Sequence, residues 1–244
     1  MGQSTKIYGL RAIIEAIESD QSIDKIFIQQ GLDGALIRQL KSLIKQHGIS
    51  MNYVPVEKLN RLSQGNHQGA VAQISPVKFY SLEDLIEQSI AKKADPLFLV
   101  LDQLSDVRNF GAILRTAECT GVSGIIIQKQ GSAPLNADAV KTSAGAVFNL
   151  PIVKVNHIKD AIYFLQGSGV KTIAATEKAE DLIYNIELTG PLAIVMGSEG
   201  RGINPSVLKI VDQLVKLPVL GKIESLNVSV ACGAFLYEAV RQRL

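Results

Sequence analysis

The stretch AIVMGSEGRGINPSVLKIVDQLVKLPVLGKIESLNVSVA, residues 193–231, decides the fold prediction. It continues a short apolar run, residues 192–196, that is bounded by proline and glycine and is typical of a buried strand. Asn204 and Pro205 then predict the start of a helix, with Asn as N-cap and Pro in the first helical position. A second apolar run, residues 213–218, predicts another strand. Glycine-containing loops follow both strands, and such loops let a backbone approach a ligand closely.

The C-terminal half alternates apolar runs with helical patterns. The predicted strands are residues 97–101, 125–127, 152–155, 171–175, 192–196 and 213–218. The predicted helices include residues 110–119, 137–144, 158–166 and 228–240. Five to six strands with intervening helices predict an α/β fold with an open parallel sheet. Ligands of such sheets bind at the carboxyl ends of the strands.

The N-terminal segment, residues 1–75, predicts a second, smaller α/β layer. Its predicted strands and helices alternate, at residues 10–17, 25–28, 35–46, 49–56, 57–62 and 70–74. We therefore expect an N-terminal domain over residues 1–75, a connector over 76–95 and a second domain over 96–244. Within the connector, Ser81 and Asp84 form a variant of a capping box.

Composition excludes several classes of protein. The chain has 244 residues, of which 47% are hydrophobic and 20% charged, as in an ordinary globular protein. No apolar run approaches the ~20 residues of a membrane span, and no signal peptide is visible. Three scattered histidines show no metal spacing. We expect a cytoplasmic, metal-free protein in which Cys119 and Cys232 are free, buried thiols.

The net charge of +2 lies in the N-terminal segment 1–75, which holds eight Lys and Arg against six Asp and Glu. That excess permits an RNA partner without demanding one. The phosphate-binding and hydrolase motifs are missing: there is no G-x-G-x-x-G, Walker sequence, G-x-S-x-G or H-E-x-x-H.

Three polar loop clusters remain in the second domain. The first runs from Asn109 to Arg115, the second is residues 197–202, and the third is residues 225–229. Taken singly, each has a structural interpretation: Asn109 as an N-cap, Arg115 as a solvated charge, and Ser225 as the cap of the last helix. However, the helix that follows the third cluster is apolar nearly all round, so polar groups at its mouth need partners.

Together these clusters carry a family resemblance. Asn109-x-Gly-x-x-x-Arg115, Gly197-Ser-Glu-Gly-x-Gly202 and Ser225-Leu-Asn-Val-Ser-Val-Ala231 resemble the three motifs of the SpoU branch of the SPOUT RNA methyltransferases. The N-terminal segment 1–75, including residues 66–69, resembles the ribosomal-protein-like RNA-binding domain of one subgroup. That subgroup methylates a guanosine ribose 2′-hydroxyl in large-subunit (23S) ribosomal RNA.

The resemblance implies S-adenosyl-L-methionine as methyl donor, a deep trefoil knot in the C-terminal domain, and a homodimer formed through that domain. It assigns cofactor binding to Gly197, Leu217, Ser225 and Leu226. It assigns the reaction to Arg115 as the catalytic arginine, with Asn109 and Glu199 orienting it and the ribose, and with Asn227 and Ser229 completing the pocket. Candidate phosphate contacts in the first domain are Lys6, Arg11 and Arg61.

Other functions stay open on the sequence alone. A transfer-RNA ribose 2′-O-methyltransferase of the same superfamily is the main alternative. A non-catalytic RNA-binding protein of ribosomal type would explain the first domain but not the three polar clusters. A nicotinamide-dependent enzyme would fit the α/β pattern, although the glycine fingerprint is missing.

Overall fold

The computed structural model of the protein describes residues 6–222 and 225–244. The chain divides into two compact units. One contains residues 6–78 and the short segment Leu135–Ala137, and the other contains residues 79–134 and the described residues from 138 onward. Within the described ranges, no helix combines the length and the apolarity needed to cross a membrane.

The first unit is a four-stranded mixed sheet with helices on both faces. Its elements are β1 (Lys6–Tyr8), α1 (Leu10–Glu18), β2 (Ile23–Gln29), α2 (Ala35–Gln46), β3 (Met51–Val54), α3 (Val56–Leu62) and β4 (Ala70–Ile74). The strand order is β1-β4-β2-β3, in which only β2 and β3 run parallel. The isoleucines and leucines of α1 and α2 pack on one face, and Leu59 of α3 packs on the other against Val54 and Val71.

The second unit is built on an eight-stranded sheet. Its strands are β5 (Phe79–Tyr80), β6 (Leu97–Leu101), β7 (Gly124–Gln128), β8 (Ile152–Val155), β9 (Lys171–Ala175), β10 (Asp181–Leu182), β11 (Leu192–Met196) and β12 (Gln213–Lys216). They run in the order β10-β12-β9-β11-β6-β7-β8-β5, and every neighbouring pair is parallel. The central strands β6 and β11 are buried along their whole length, which explains their continuous apolar sequence.

Helices cover both faces of this sheet. They are α4 (Leu82–Lys92), α5 (Val107–Cys119), α6 (Ala137–Thr142), α7 (Ile158–Gly167), α8 (Pro205–Leu208) and α9 (Val228–Arg243), with 3₁₀ turns at Ala146–Phe148 and Ile183–Asn185. Side chains of α4, α7 and α8 share one core with the sheet. Helices α5 and α9 pack against each other. At their contact, a Cβ added to Gly233 would lie at an ordinary van der Waals distance, 3.7 Å, from Thr116 Cγ2.

The C-terminus of α9 is fastened to the rest of the second unit by Arg243. Its guanidinium donates hydrogen bonds to the backbone carbonyls of Leu188, Gly190 and Asp95, at 3.0, 2.9 and 2.7 Å. Burial lowers the pKa of Arg243, although nearby Asp95 partly offsets this. Three carbonyl acceptors compensate the desolvation of the charge. The helix that carries Asn227 at its start is therefore fixed at its end.

The structure differs from the sequence predictions at several short elements. Strands β1, β5 and β10 have two or three residues each and were not predicted. The expected connector over residues 76–95 contains β5, which pairs with β8, and α4, whose Leu85 and Ile86 are buried in the second core. Ser81 caps α4 by accepting a hydrogen bond from Asp84 N at 3.1 Å. The prediction of two buried thiols was wrong for Cys119, which is exposed.

Candidate active site

Three of the predicted site residues meet at the side chain of Asn227. Its amide nitrogen donates a hydrogen bond to Asn109 Oδ1 at 3.0 Å and another to a carboxylate oxygen of Glu199. Its amide oxygen accepts the backbone N–H of Ser229 at 2.9 Å and the Ser229 hydroxyl. The side-chain amide of Asn227 thus joins Asn109 and Glu199, which lie 118 and 28 positions away from it in the sequence. We call Asn109, Glu199, Asn227 and Ser229 the Asn227 cluster.

Helix capping positions two members of this cluster. Asp106, not Asn109, caps α5: its carboxylate accepts Asn109 N at 2.8 Å, so Asn109 lies in the first helical turn with its side chain available. Asn227, not Ser225, caps α9. The structural interpretations of Asn109 and Ser225 as caps were therefore wrong. A capping oxygen stabilises each helix start and fixes the side chain that follows.

A tight turn after β11 positions Glu199. Ser198 and Gly202 exchange backbone hydrogen bonds, at 3.2 and 2.8 Å, and close the turn. A Cβ added to Gly197 would lie 2.1 Å from the carbonyl carbon of Gly202, so only glycine fits there. Gly202 has φ +65°, a conformation that glycine adopts without strain. The glycines predicted for close backbone approach serve first to let this turn fold back on itself.

A cavity of about 380 Å³ lies on one side of this turn. All four residues predicted to bind the cofactor line it, namely Gly197, Leu217, Ser225 and Leu226. Apolar side chains contribute much of the remaining wall, among them Leu208, Val228 and Phe235. Its size suits a small organic ligand, and its wall combines apolar side chains with polar groups that could orient such a ligand.

A second cavity, of about 690 Å³, shares the turn with the first. Residues 198–201 line both cavities, and Asn109 lines the second. Its other walls come from the loop after β6 and the end of β7, with polar side chains from Gln103, Asp106 and Gln128. Gln103 has φ +56°, a backbone conformation that is uncommon for a residue other than glycine. Both cavities lie where strands end, as expected for a parallel sheet.

Arg115 does not join the cluster. Its side chain is exposed on α5, and it makes no hydrogen bond or ion pair with the rest of residues 6–222 or 225–244. It lines neither cavity. Six positions along a helix from Asn109 amount to about 9 Å of rise and a third of a turn of rotation, which separates the two side chains.

The candidate RNA contacts lie in the first unit. Arg11 on α1 and Arg61 on α3 are exposed. Lys6 Nζ donates a hydrogen bond to the carbonyl of Leu62 at 3.1 Å. No contact in the described structure joins these three cations to one another.

A buried carboxylate supports the loop after β6. Asp102 is only 1% exposed, and its Oδ2 accepts Asn204 N at 2.7 Å, while its backbone N–H reaches the carbonyl of Met196 at 2.8 Å. Burial raises the pKa of Asp102, and the hydrogen bond from Asn204 opposes that rise. Asp102 therefore ties the end of β6 to the chain on both sides of the Gly197–Gly202 turn.

Sequence reasoning predicted Asn109 and Glu199 in the second cavity but missed Gln103 and Gln128. Gln128 is the last residue of β7 and Gln103 lies just after β6, so the rule that ligands bind at strand ends could have pointed to them. In the described ranges, no group of three or more His, Cys, Asp and Glu side chains is placed to hold a metal ion.

Comparison with known proteins gives the family. Residues 96–237 match the SpoU rRNA Methylase family, and residues 6–80 match the RNA 2′-O ribose methyltransferase substrate-binding family. The chain belongs to the SpoU rRNA methylase family. The resemblance inferred from the three motifs is thus confirmed, and the Asn227 cluster joins one residue or more from each of those motifs.

Full-length relatives agree with this SpoU membership. The chain is 37% identical over 241 residues to the 23S rRNA (guanosine-2′-O-)-methyltransferase RlmB of Vibrio cholerae, covering 98% of this chain and 97% of the relative. It is 35% identical to YacO of Bacillus subtilis, by its name a protein of the TrmH family of tRNA/rRNA methyltransferases, with 99% and 97% covered. The crystal structure of an AdoMet-bound rRNA methyltransferase from Sinorhizobium meliloti superimposes with a TM-score of 0.64 at 25% identity, covering 98% of this chain and 88% of that one.

Proposed function

We propose that this protein transfers a methyl group from S-adenosylmethionine to the ribose 2′-hydroxyl of a guanosine in 23S ribosomal RNA. One observation carries the proposal: Glu199 of the Asn227 cluster belongs to a turn, residues 198–201, that lines two cavities. A group-transfer enzyme needs a donor site and an acceptor site that meet at one point. The RlmB relative, whose name gives this reaction, supports the choice of substrate.

The smaller cavity, of about 380 Å³, fits the methyl donor. When bound, S-adenosylmethionine supplies a methyl group made electrophilic by a positively charged sulfur. Leu217 and Leu226 offer apolar surface to the ligand, and the glycine turn at Gly197 brings backbone groups to its edge. Ser225 adds a hydroxyl at the rim. The positively charged sulfur makes the methyl group electrophilic without a metal ion, so we propose no metal at this site.

The Asn227 cluster positions the ribose. Asn227 engages one carboxylate oxygen of Glu199, and the other makes no hydrogen bond with the described residues. We propose that this oxygen accepts a hydrogen bond from the 2′-hydroxyl, which would aim the hydroxyl oxygen at the donor cavity. It would take the hydroxyl proton as the bond from oxygen to the methyl carbon forms and the bond from that carbon to sulfur breaks, which leaves a neutral thioether. Alignment for in-line attack supplies most of the rate enhancement that such a site can give. Asn109 and Ser229 hold Asn227 in place.

Arg115 would act on the RNA backbone. Because an arginine side chain stays protonated at neutral pH, it is a poor base but a good partner for phosphate. Its exposed side chain has no competing partner among the described residues. We expect it to bind a phosphate of the RNA substrate and so to help hold the target nucleotide at the site.

Arg115→Ala tests this role. The variant should lose methyl transfer to ribosomal RNA by at least about a hundredfold, because the charge-assisted contact that holds the RNA substrate in place is removed. S-Adenosylmethionine binding, measured by calorimetry, should stay within about twofold, since Arg115 does not line the donor cavity. Lys159→Ala on α7, another exposed basic side chain, should leave both quantities unchanged. Turnover retained by Arg115→Ala would reject the assignment.

Substrate selection would fall to the first unit, with Lys6, Arg11 and Arg61 contacting RNA phosphates. Its match to a substrate-binding family supports this. RNA recognition through shape, phosphates and 2′-hydroxyls requires no base-reading motif. The proposed substrate also places the protein in the cytoplasm.

The proposed active form is a homodimer through the C-terminal domain. Helix α9 exposes Val230 and Tyr237, and the segment before it exposes Leu220 and Leu226. Exposed apolar side chains grouped along one stretch of chain are typical of an interface. Sedimentation analysis should therefore give twice the mass of the chain, and Tyr237→Glu should shift the protein toward monomers.

The proposed deep trefoil knot would lie in the second unit. Its strand order supports the idea, because β11 lies between the earlier strands β6 and β9, and the chain then continues to β12 beyond β9. Such threading is rare among proteins. Pulling the chain from both ends should give an extended length shorter than that of an unknotted chain of 244 residues.

Mapping of 2′-O-methylation in RNA from cells with and without the protein tests the function as a whole. One guanosine of 23S ribosomal RNA should lose its methyl group without the protein. A loss confined to transfer RNA would favour the alternative substrate, which the name of the YacO relative also covers. Unchanged methylation, with no binding of labelled S-adenosylmethionine, would favour a non-catalytic RNA-binding protein.

A further inference from the structure

The larger cavity, of about 690 Å³ beside the Asn227 cluster, has hydrogen-bond acceptors on several of its walls, together with one cation, Arg201. Gln128 lines this cavity, and its Oε1 is buried without a hydrogen-bond partner among the residues that the structure describes. A buried acceptor without a partner costs about 1–3 kcal/mol, so its position calls for a ligand that donates. Gln128 lies at the carboxyl end of β7, where its backbone is fixed by pairing with β8 and by Ser132 Oγ at 3.1 Å.

Two carboxylates on other walls add to this character. Asp106 uses one oxygen to cap α5, and Glu199 uses one oxygen to accept from Asn227. The second oxygen of each makes no hydrogen bond with the described part of the chain, and both side chains line the cavity. Asp106 and Gln128 thus bring acceptors to the cavity from the β6–α5 loop and the end of β7, beside the Glu199 oxygen that we assign to the ribose 2′-hydroxyl.

Guanine is the nucleobase that offers such a wall the most donors. Its N1–H and its N2 amino group stand side by side on one edge, whereas adenine presents an acceptor at N1 and a single amino group. Uracil offers one N–H, and cytosine offers one amino group. An acceptor-rich wall therefore prefers guanine and leaves acceptors unpaired or opposed when adenine enters.

We propose that this cavity holds the base of the target nucleotide and that Gln128 is a specificity-determining residue, accepting a hydrogen bond from the N1–H of guanine. The assignment rests on the proposed function, since it gives the acceptor side of the methyl transfer its base preference. It places the base on the opposite side of the Ser198–Arg201 turn from the methyl donor, with the Asn227 cluster between them.

Variants of Gln128 test the assignment on an RNA fragment that carries the mapped guanosine, or adenosine in its place. The wild-type protein should prefer guanosine by about tenfold or more in kcat/KM. Gln128→Met removes the acceptor at similar size and should bring that ratio to within about threefold of one. Gln128→Glu keeps an acceptor and should retain the preference. A packing role alone would be preserved by methionine, and the guanosine preference would then be unchanged in Gln128→Met. Gln88→Met on α4, an exposed glutamine, is the matched control.

Nucleotide binding tests the base preference of the cavity independently of methyl transfer. With S-adenosylhomocysteine saturating the first cavity, guanosine 5′-monophosphate should bind the wild-type protein more tightly than adenosine 5′-monophosphate, and Gln128→Met should bind the two alike. S-Adenosylmethionine binding by each variant reports that it is folded. Gln128→Met that keeps the guanosine preference, or wild-type protein that binds both nucleotides equally, overturns the inference. If the protein prefers the guanosine nucleotide but methylates no RNA, that result contradicts the proposed function and supports the base pocket.

Discussion

At the scale of single residues, Asn227 carries two tasks that substitution can separate. Its amide oxygen caps α9, and its amide nitrogen holds Glu199 and Asn109. Asn227→Asp keeps the capping oxygen but replaces the donor with an acceptor beside the Glu199 carboxylate. We expect stability within about 0.5 kcal/mol of wild type and methyl transfer lowered by at least about tenfold. Asn227→Ala should lose both the cap, at about 1 kcal/mol, and the activity.

Ser81→Ala is the control for the helix cap. Ser81 caps α4 with the same kind of side-chain hydrogen bond, to Asp84 N. Its loss should also cost about 1 kcal/mol, measured as a shift in urea midpoint, while methyl transfer per folded molecule is unchanged. Asn227→Asp with wild-type turnover would show that the contact with Glu199 has no part in the reaction.

The two thiols should differ sharply in reactivity. Burial raises the pKa of the Cys232 thiol to about 12, whereas Cys119 is exposed. At pH 8 the native protein should therefore take up one equivalent of iodoacetamide, at Cys119, and a second only in denaturant; peptide mass spectrometry locates both. The raised pKa of Cys232 also makes the stability of the fold depend on pH. Unfolded Cys232 ionises near pH 9 and folded Cys232 near 12, so Cys232 favours unfolding increasingly as pH rises above 9.

Sequence patterns found the residues of the Asn227 cluster but not their connections. Polar side chains at the mouth of an apolar helix predict that partners exist, yet Asn109 and Glu199 are distant in sequence from Asn227, so the pairing needed the fold. The caps of α5 and α9 were misplaced by two or three residues, because Asp106 and Asn227 are as good caps as Asn109 and Ser225. Local preference does not choose between neighbours of equal propensity.

At the scale of elements, strands with a full apolar run were predictable from end to end. Residues 97–101 and 192–196 match β6 and β11 without a shift, because strands buried on both faces are apolar throughout and end at turn residues. The two-residue strands β5 and β10 have no periodicity to detect. They exist because the edges of a sheet formed elsewhere offer unpaired backbone groups to them.

The turn after β11 is the element on which both cavities depend. A methyl group at Gly197 would lie 2.1 Å from the backbone carbon of Gly202, and that backbone cannot yield without opening the Ser198–Gly202 pairing. We expect Gly197→Ala to weaken S-adenosylmethionine binding by at least about tenfold and to lower stability by about 1–3 kcal/mol. Calorimetry and urea unfolding measure the two effects.

Gly200→Ala is the matched control within the same turn. No atom lies within 4 Å of the position of its added Cβ, and its φ is not in the left-handed region. The urea midpoint should therefore stay near that of wild type. Equal destabilisation by both substitutions would mean that the turn tolerates no side chain for a reason other than the contact with Gly202.

At the scale of the whole molecule, the boundary between the two units lies within residues 76–95, which the sequence predicts to be a connector. Residues 76–95 read as a connector because their helical pattern is short and their ends are polar. Leu85 and Ile86 are nonetheless buried in the core of the second unit, and a Cβ at Gly124 would lie 2.4 Å from Leu85 Cδ2. Helix α4 is thus part of the methylase unit, although the methylase family match begins only at residue 96.

Two truncations follow from this packing. Residues 79–244 keep β5 and α4 and should fold, binding S-adenosylmethionine within about threefold of the full chain while losing methyl transfer to ribosomal RNA, because the proposed RNA-binding unit is absent. Residues 96–244 lose the buried side chains of Leu85 and Ile86, worth about 2–5 kcal/mol each when truncated in a core, and should aggregate or unfold at a much lower temperature. Circular dichroism melts and calorimetry compare the two fragments.

Two outcomes would contradict these expectations. If residues 96–244 prove as stable as residues 79–244, α4 is only a connector. If residues 79–244 methylate ribosomal RNA at the full rate, substrate selection lies in the second unit.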